Sequence, residues 1–436
     1  MGLIEIAALL LGFLLLLLCF GVWIGIALAI VAWFGMAVFG TSPADKNLFT
    51  AFWNATASWE LAALPMFIWM GEILFRTKLS EEMFEGLSPW LRRIPGRLLH
   101  VNILACGLFG SVSGSSAATT ATVAKVALPE LLRRGYNERI ALGSLATAGG
   151  LGILIPPSIT MVVYAVAADT SIIRIFLAGF LPGFLLMGIF SIYIGIWALR
   201  HPEQMPALEP RMSFKNKLYA SRRLIPVCLL IAFITWVLIA GIATATECAA
   251  YGVLGSLAIA WWSKMLTWEN FWTGLMSSTR VSCMIMFILA GAKYLSLTMA
   301  FTGIPIALAN WVASLGLSPY MLILALAVAY VLLGTALDGI SMIVLTSAVV
   351  LPMVQKAGFD LVWFGIFIVL MVEIAEITPP VGFNLFVLQN MTGKDANTIA
   401  RASIPFFICL LVCIVLLTVF PQIVTYLPDV LMGKDK

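Results

Sequence analysis

Four short stretches of this chain carry groups able to hold an ion or a small polar molecule. One is Ser111-Val112-Ser113-Gly114-Ser115-Ser116-Ala117-Ala118-Thr119-Thr120, and another is Gly334-Thr335-Ala336-Leu337-Asp338-Gly339-Ile340-Ser341. Their hydroxyls and glycine-opened carbonyls are hard oxygen donors, suited to a small alkali cation. The other two stretches centre on Pro156-Pro157, after Gly149-Gly150-Leu151-Gly152, and on Pro379-Pro380, before Val381-Gly382-Phe383-Asn384. Adjacent prolines remove two backbone donors and clash with the preceding turn, and they push the residue before them to extended geometry. The carbonyls around Ile155 and Thr378 are therefore expected to lose their helical partners, and a dehydrated cation would replace them. Asp338 is the sole acid of its stretch; a bound Na⁺, a proton or the amides of a helix N-terminus would neutralise it. Such a helix end would also attract an anionic substrate. Glu373 and Glu376 precede the second proline pair as ligands, proton carriers or simple hydrogen-bonding acids. Glu376 faces Ile153 in the internal comparison below, so both stay outside the core site.

The elements that must position these groups follow from composition. The chain has 436 residues, 62% hydrophobic and 11% charged, with a mean hydropathy of +1.05. So few charges cannot cover a water-soluble surface, where about a quarter of residues are charged. Apolar runs of the roughly 20 residues that cross a bilayer recur from Leu9 to Phe420. The chain reads as an all-α polytopic membrane protein. A net charge of +4 without a basic stripe excludes a nucleic-acid binder. The seven cysteines all lie in apolar segments with no CxxC pair, so they read as small membrane residues. With two histidines, both in polar loops, and no GxSxG or P-loop motif, enzyme and ATPase chemistry have no constellation to run on.

The chain repeats itself. Leu128-Pro129 recurs as Leu351-Pro352, Gly135 as Gly358 and Pro156-Pro157 as Pro379-Pro380, all at an offset of 223. One Gly/Ser/Thr cluster alone would mean helix packing, and one Pro-Pro a kink. Two register-matched pairs point to a site. Residues 1–199 form the first repeat, with scaffold spans over 1–100 and a hairpin and broken helix over 101–168. Residues 200–223 are a cytoplasmic linker. Residues 224–420 form the second repeat, with scaffold spans over 224–298 and a hairpin and broken helix over 319–388; 421–436 is a tail. The polar clusters inside 101–132 and 319–355 imply re-entrant hairpins, because irregular backbone in a bilayer must be buried or line a cavity. Each half then has five spans plus one hairpin, and an odd count inverts the second half. The Lys/Arg distribution agrees: with 76–100 cytoplasmic, 18 of the 25 basic residues fall on that side and five outside. Both termini are then outside. Residues 76–100 read as an interfacial helix or a solvated loop.

At these residues the chain resembles the large membrane subunit of tripartite ATP-independent periplasmic (TRAP) transporters, the DctM type, over nearly its whole length. The resemblance rests on SVSGSSAAT at 111–119, GILIPPSI at 152–159, TATECAA at 244–250, GTALDGIS at 334–341 and ITPPVGFNLFV at 377–387. At 244–250 the family more often reads TPTEAA, so Ala245 and Cys248 depart from it. The resemblance implies an elevator-type secondary transporter in a bacterial or archaeal cytoplasmic (inner) membrane, importing a small organic acid under a Na⁺ gradient. It implies two partners, a periplasmic binding protein that delivers the acid and a small four-helix membrane subunit, expected here as a separate protein. By the same likeness one Na⁺ site falls at Ser113, Gly114, Ser115, Ser116, Gly152 and Pro156. Its mirror falls at Gly334, Asp338, Gly339, Thr378 and Gly382, with substrate at Ser115, Ser116 and Asn384. The alternative is a self-sufficient Na⁺/organic anion symporter of the same architecture.

Overall fold

The computed structural model describes residues 2–40, 42–206, 212–314, 318–335, 337–380 and 382–433. Parts of the expected linker (207–211) and tail (434–436) thus lie outside the described residues. Among those described, every regular element is helical. The physical reason is the one the composition gave: helices satisfy their backbone groups within one segment, as a spanning chain requires.

Two sets of helices coincide at the offset of 223. Ser116–Arg133 matches Gly339–Lys356 end to end. The caps match as well. Ser115 accepts from the amide of Ala118 at 3.4 Å, and Asp338 from that of Ser341 at 3.2 Å. Asn137 and Asp360 cap the next helix of each set, Glu138–Ala148 and Leu361–Glu376. Between them Gly135 and Gly358 turn the chain with φ of 82° and 84°. Each of these caps occupies an amide that the first helical turn leaves free.

Both Pro-Pro bonds are cis, and helix stops at each. Ile155, before the first, is extended with φ −94° and ψ 120°. The segments Glu138–Leu154 and Ile159–Ala167 meet at 48°. A hairpin arm packs on each broken helix through small residues. A Cβ on Gly110 would come 2.2 Å from the Cα of Gly152, and one on Gly334 would come 2.2 Å from the Cβ of Ala375. Positions 111 and 152 of the first half correspond to 334 and 375 of the second, so the two close approaches are almost the same contact made twice.

The remaining helices surround this core. Trp268–Thr302 packs along Ile24–Phe39, and Ala245–Trp262 along Ala63–Phe75. Segment 76–100 contains the helix Leu79–Leu91, with Met83, Phe84 and Leu91 buried. It is tied to the linker by a 2.7 Å hydrogen bond from the Trp90 indole to Ser221. Helix ends run past the segments that hydropathy picks out. Trp268–Thr302 has 35 residues, about 52 Å at 1.5 Å per residue, longer than the roughly 20 residues that cross a bilayer. Helices also occupy Ala44–Thr56, Ile304–Ser314 and Gln422–Met432. Hydropathy marks the membrane layer, not where a helix stops. By length and composition, five described helices suffice to cross a membrane, and two bent pairs would raise this to seven. That is fewer than the ten spans expected, because several apolar helices are short or broken.

The contact between Gly110 and Gly152 has no room for a side chain. Gly152→Ala is expected to lower unfolding stability by roughly 1–3 kcal/mol through overpacking against backbone. Gly188→Ala, whose Cβ meets nothing within 4 Å, should be neutral or slightly stabilising. Thermal unfolding of the two variants in one detergent measures the difference.

Candidate functional site

The first hairpin turns at Gly114, which is left-handed with φ 61°, a conformation glycine reaches without steric cost. That turn folds Ser113 back toward the helix capped by Ser115. The Ser113 hydroxyl lies 2.7 Å from that of Thr119, and the Thr119 hydroxyl donates to the Ser115 carbonyl at 2.7 Å. Gly152 of the broken helix sits beside this group; a Cβ there would stand 3.0 Å from the Thr119 hydroxyl. Ser113, Gly114, Ser115 and Gly152 are thus brought together. Pro156 lies further along, facing Phe176 and Leu238.

The prolines at 156 and 157 withdraw the donors that would serve the carbonyls of Gly152 and Ile153. The Ile153 carbonyl is not left open, because the Ser158 hydroxyl donates to it at 2.6 Å. In the second half the matching residue is Val381, which has no hydroxyl. The Glu376 carbonyl, the counterpart of Ile153 relative to the proline pair, lies 2.9 Å from where a Cβ on Gly382 would stand. Thr378 closes this turn, its carbonyl accepting from the Gly382 amide at 3.1 Å.

Asp338 receives the Ser341 amide at 3.2 Å and the Ser341 hydroxyl in a shorter contact. Of the neutralising groups considered for this acid, the helix N-terminal amide is therefore in place. Gly334 and Gly339 flank it, packed on Ala375 and Val372 of the helix that leads to Pro379. The second hairpin thus meets the second break as the first meets the first.

Ser116 and Asn384 join the two assemblies. Both are buried. The Asn384 amide donates to the Ser116 hydroxyl at 2.8 Å and to the Ala146 carbonyl at 2.9 Å, and its oxygen accepts from Ser116 at 3.2 Å. Ser115, half-buried, is more open. A separate cavity of about 100 Å³ lies between the first broken helix, the second hairpin and Trp268–Thr302, with Asn54, Glu60, Asp169, Lys293 and Ser347 on its walls. Such a space holds several waters or a small organic acid.

Sequence reasoning did not single out Thr119, Ser158 or Ser341. Each lies three to five residues from a partner, a spacing at which short hydroxyl side chains bond local backbone, and that spacing was the available signal. Among the described residues no three His, Cys, Asp or Glu gather as a metal cluster; the oxygen donors here are hydroxyls, carbonyls and single carboxylates.

A hydrogen bond between buried side chains of two elements should be energetically coupled. In a double-mutant cycle of Ser116→Ala and Asn384→Ala, the unfolding free energies are expected to couple by roughly 0.5–2 kcal/mol. Additive losses would show that the pair does not join the two halves.

Known proteins resemble this chain over most of its length. Residues 11–423 match the family "Tripartite ATP-independent periplasmic transporter, DctM component". The C4-dicarboxylate TRAP transporter large permease protein DctM of Pseudomonas aeruginosa is 32% identical over 88% of this chain and 90% of its own. Its namesake from Rhodobacter capsulatus is 30% identical over 98% and 99%. In fold, the chain is similar to the solved YdaH transporter of Alcanivorax borkumensis, with a TM-score of 0.63 at 14% identity, covering 92% of this chain and 97% of that one. The chain therefore belongs to the DctM family: it is the large, multi-pass inner-membrane subunit of a TRAP transporter, a permease and not an enzyme.

Proposed function

We propose that this subunit carries a small organic acid across the membrane, driven by Na⁺, by an elevator movement of its two hairpins and broken helices against the other helices. The observation that carries this reading is the matched pair of hairpin–break assemblies joined by Ser116 and Asn384. Rigid-body movement needs such a unit, held together inside and bounded by separate helices. Inverted-repeat transporters place ion and substrate sites at broken helices near the midplane.

In this reading one Na⁺ lies among Ser113, Gly114, Ser115, Ser116 and the break from Gly152 to Pro156. The other lies among Gly334, Asp338, Gly339, Thr378 and Gly382, where Asp338 supplies the charge and the Glu376 carbonyl joins the donors. Substrate sits between the hairpin tips at Ser115, with Ser116 and Asn384 beneath it. Both named relatives are C4-dicarboxylate permeases, which supports a C4-dicarboxylate or similar acid as cargo. A periplasmic binding protein delivers it, and a small four-helix membrane subunit widens the fixed part. The second half is inverted relative to the first, as the Lys/Arg distribution favours.

The test is uptake of radiolabelled succinate by proteoliposomes holding this chain with its small subunit, supplied with the cognate binding protein. An inward Na⁺ gradient should drive uptake and a K⁺ gradient should not. Asp338→Asn, which removes one charged ligand, should lower the initial rate about tenfold, equivalent to about 1.4 kcal/mol. Uptake by the chain alone would overturn the three-part reading in favour of a self-sufficient symporter, and Na⁺-independent uptake would overturn the coupling.

A further inference from the structure

We infer that Glu373 and Thr120 form an additional binding site for one Na⁺, at the point where the two halves of the molecule meet. The inference rests on the Na⁺-driven reading above and adds a site to it.

Glu373 is the residue that corresponds to Gly150 at the offset of 223, and the two are in contact. A Cβ on Gly150 would come 2.2 Å from the Cγ of Glu373 and 2.7 Å from its Oε1. When equivalent residues of two repeats touch, they lie beside the axis that relates the repeats, as in any isologous contact. The carboxylate therefore occupies the centre of the transport unit, and it fits only because the facing residue is glycine. The adjacent Gly149 leaves room in the same way for Thr120, whose hydroxyl would stand 1.8 Å from a Cβ there.

Glu373 and Thr120 are each fully buried. Neither carboxyl oxygen of Glu373 has a hydrogen-bond partner, and the Thr120 hydroxyl has none. No ion pair to Glu373 is found among the described residues. The other ionisable groups near it are Glu376 on its own helix and Cys413 on the facing helix Ala396–Val419, and neither brings a positive charge. Nearly all buried polar groups in native proteins are paired. An unpaired carboxylate in the interior is strongly disfavoured, and the three orphaned oxygens packed against Gly149 and Gly150 supply hard ligands for a cation that would relieve it. Gly152, at the first hairpin–break assembly, is two residues from Gly150, so a cation here would sit in the same unit and travel with it.

The test uses the purified full chain, with thermal unfolding followed over a NaCl series at constant ionic strength, KCl replacing NaCl. For a cation that binds only the folded protein, the dependence of stability on log[Na⁺] counts the ions bound. Glu373→Gln keeps the shape of the acid and removes its charge, and the count is expected to fall by about one ion. Thr120→Val leaves the acid intact and should shift the Na⁺ dependence to about tenfold higher concentration. An unchanged Na⁺ dependence in Glu373→Gln would overturn the site. Should that variant not fold, an unchanged dependence in Thr120→Val overturns it equally. A wild-type chain indifferent to Na⁺ would instead defeat the Na⁺-driven reading, and this site with it.

Discussion

A proline nitrogen has no proton to donate, and within a bilayer a carbonyl deprived of its helical donor cannot turn to water. The rest of this structure follows from that constraint. Pro156-Pro157 and Pro379-Pro380 end two helices inside the protein, and the polar backbone they release must be buried and answered by something. A hairpin laid against each break buries it, brought close by Gly110 on Gly152 and by Gly334 on Ala375, while local groups such as the Ser158 hydroxyl satisfy the freed carbonyls. Small residues at these crossings are what let backbone meet backbone.

The two halves meet the constraint with different chemistry. In the first, Ser158 satisfies the Ile153 carbonyl, and the hydroxyls of Ser113 and Thr119 with the Ser115 carbonyl fill the turn. In the second, Val381 replaces the serine and Asp338 replaces Ser115 as the cap, so a hydroxyl is lost and a charge is gained. A duplicated scaffold thus presents one assembly that is neutral and one that is anionic.

Much of this was legible in the chain because it rests on residues whose backbone effect is local. Proline pairs, turn glycines and caps act within a few residues, so the offset of 223 could be followed from Leu128-Pro129 to Pro379-Pro380, and the helices Ser116–Arg133 and Gly339–Lys356 fall on it. Family membership followed from the same motifs. What could not be read depends on distant groups meeting. Asn384 stands out only as one polar residue after a Gly-Phe; that it bonds Ser116 and Ala146 is a tertiary fact. Glu373 stays outside the site read from the sequence because its neighbour Glu376 matches Ile153 and not an acid; that Glu373 meets Gly150 is a tertiary fact. The ends of Trp268–Thr302 were hidden because polar residues outside the membrane can still be helical.

In the proposed function the two hairpin–break assemblies bind Na⁺. Equilibrium binding of ²²Na⁺ to the purified chain, with and without competing K⁺ or choline, tests it most directly. Saturable binding that excess K⁺ does not displace is expected, with the component held by the second assembly missing in Asp338→Asn. Binding that fails to saturate, or that K⁺ displaces as readily as Na⁺ does, would contradict it.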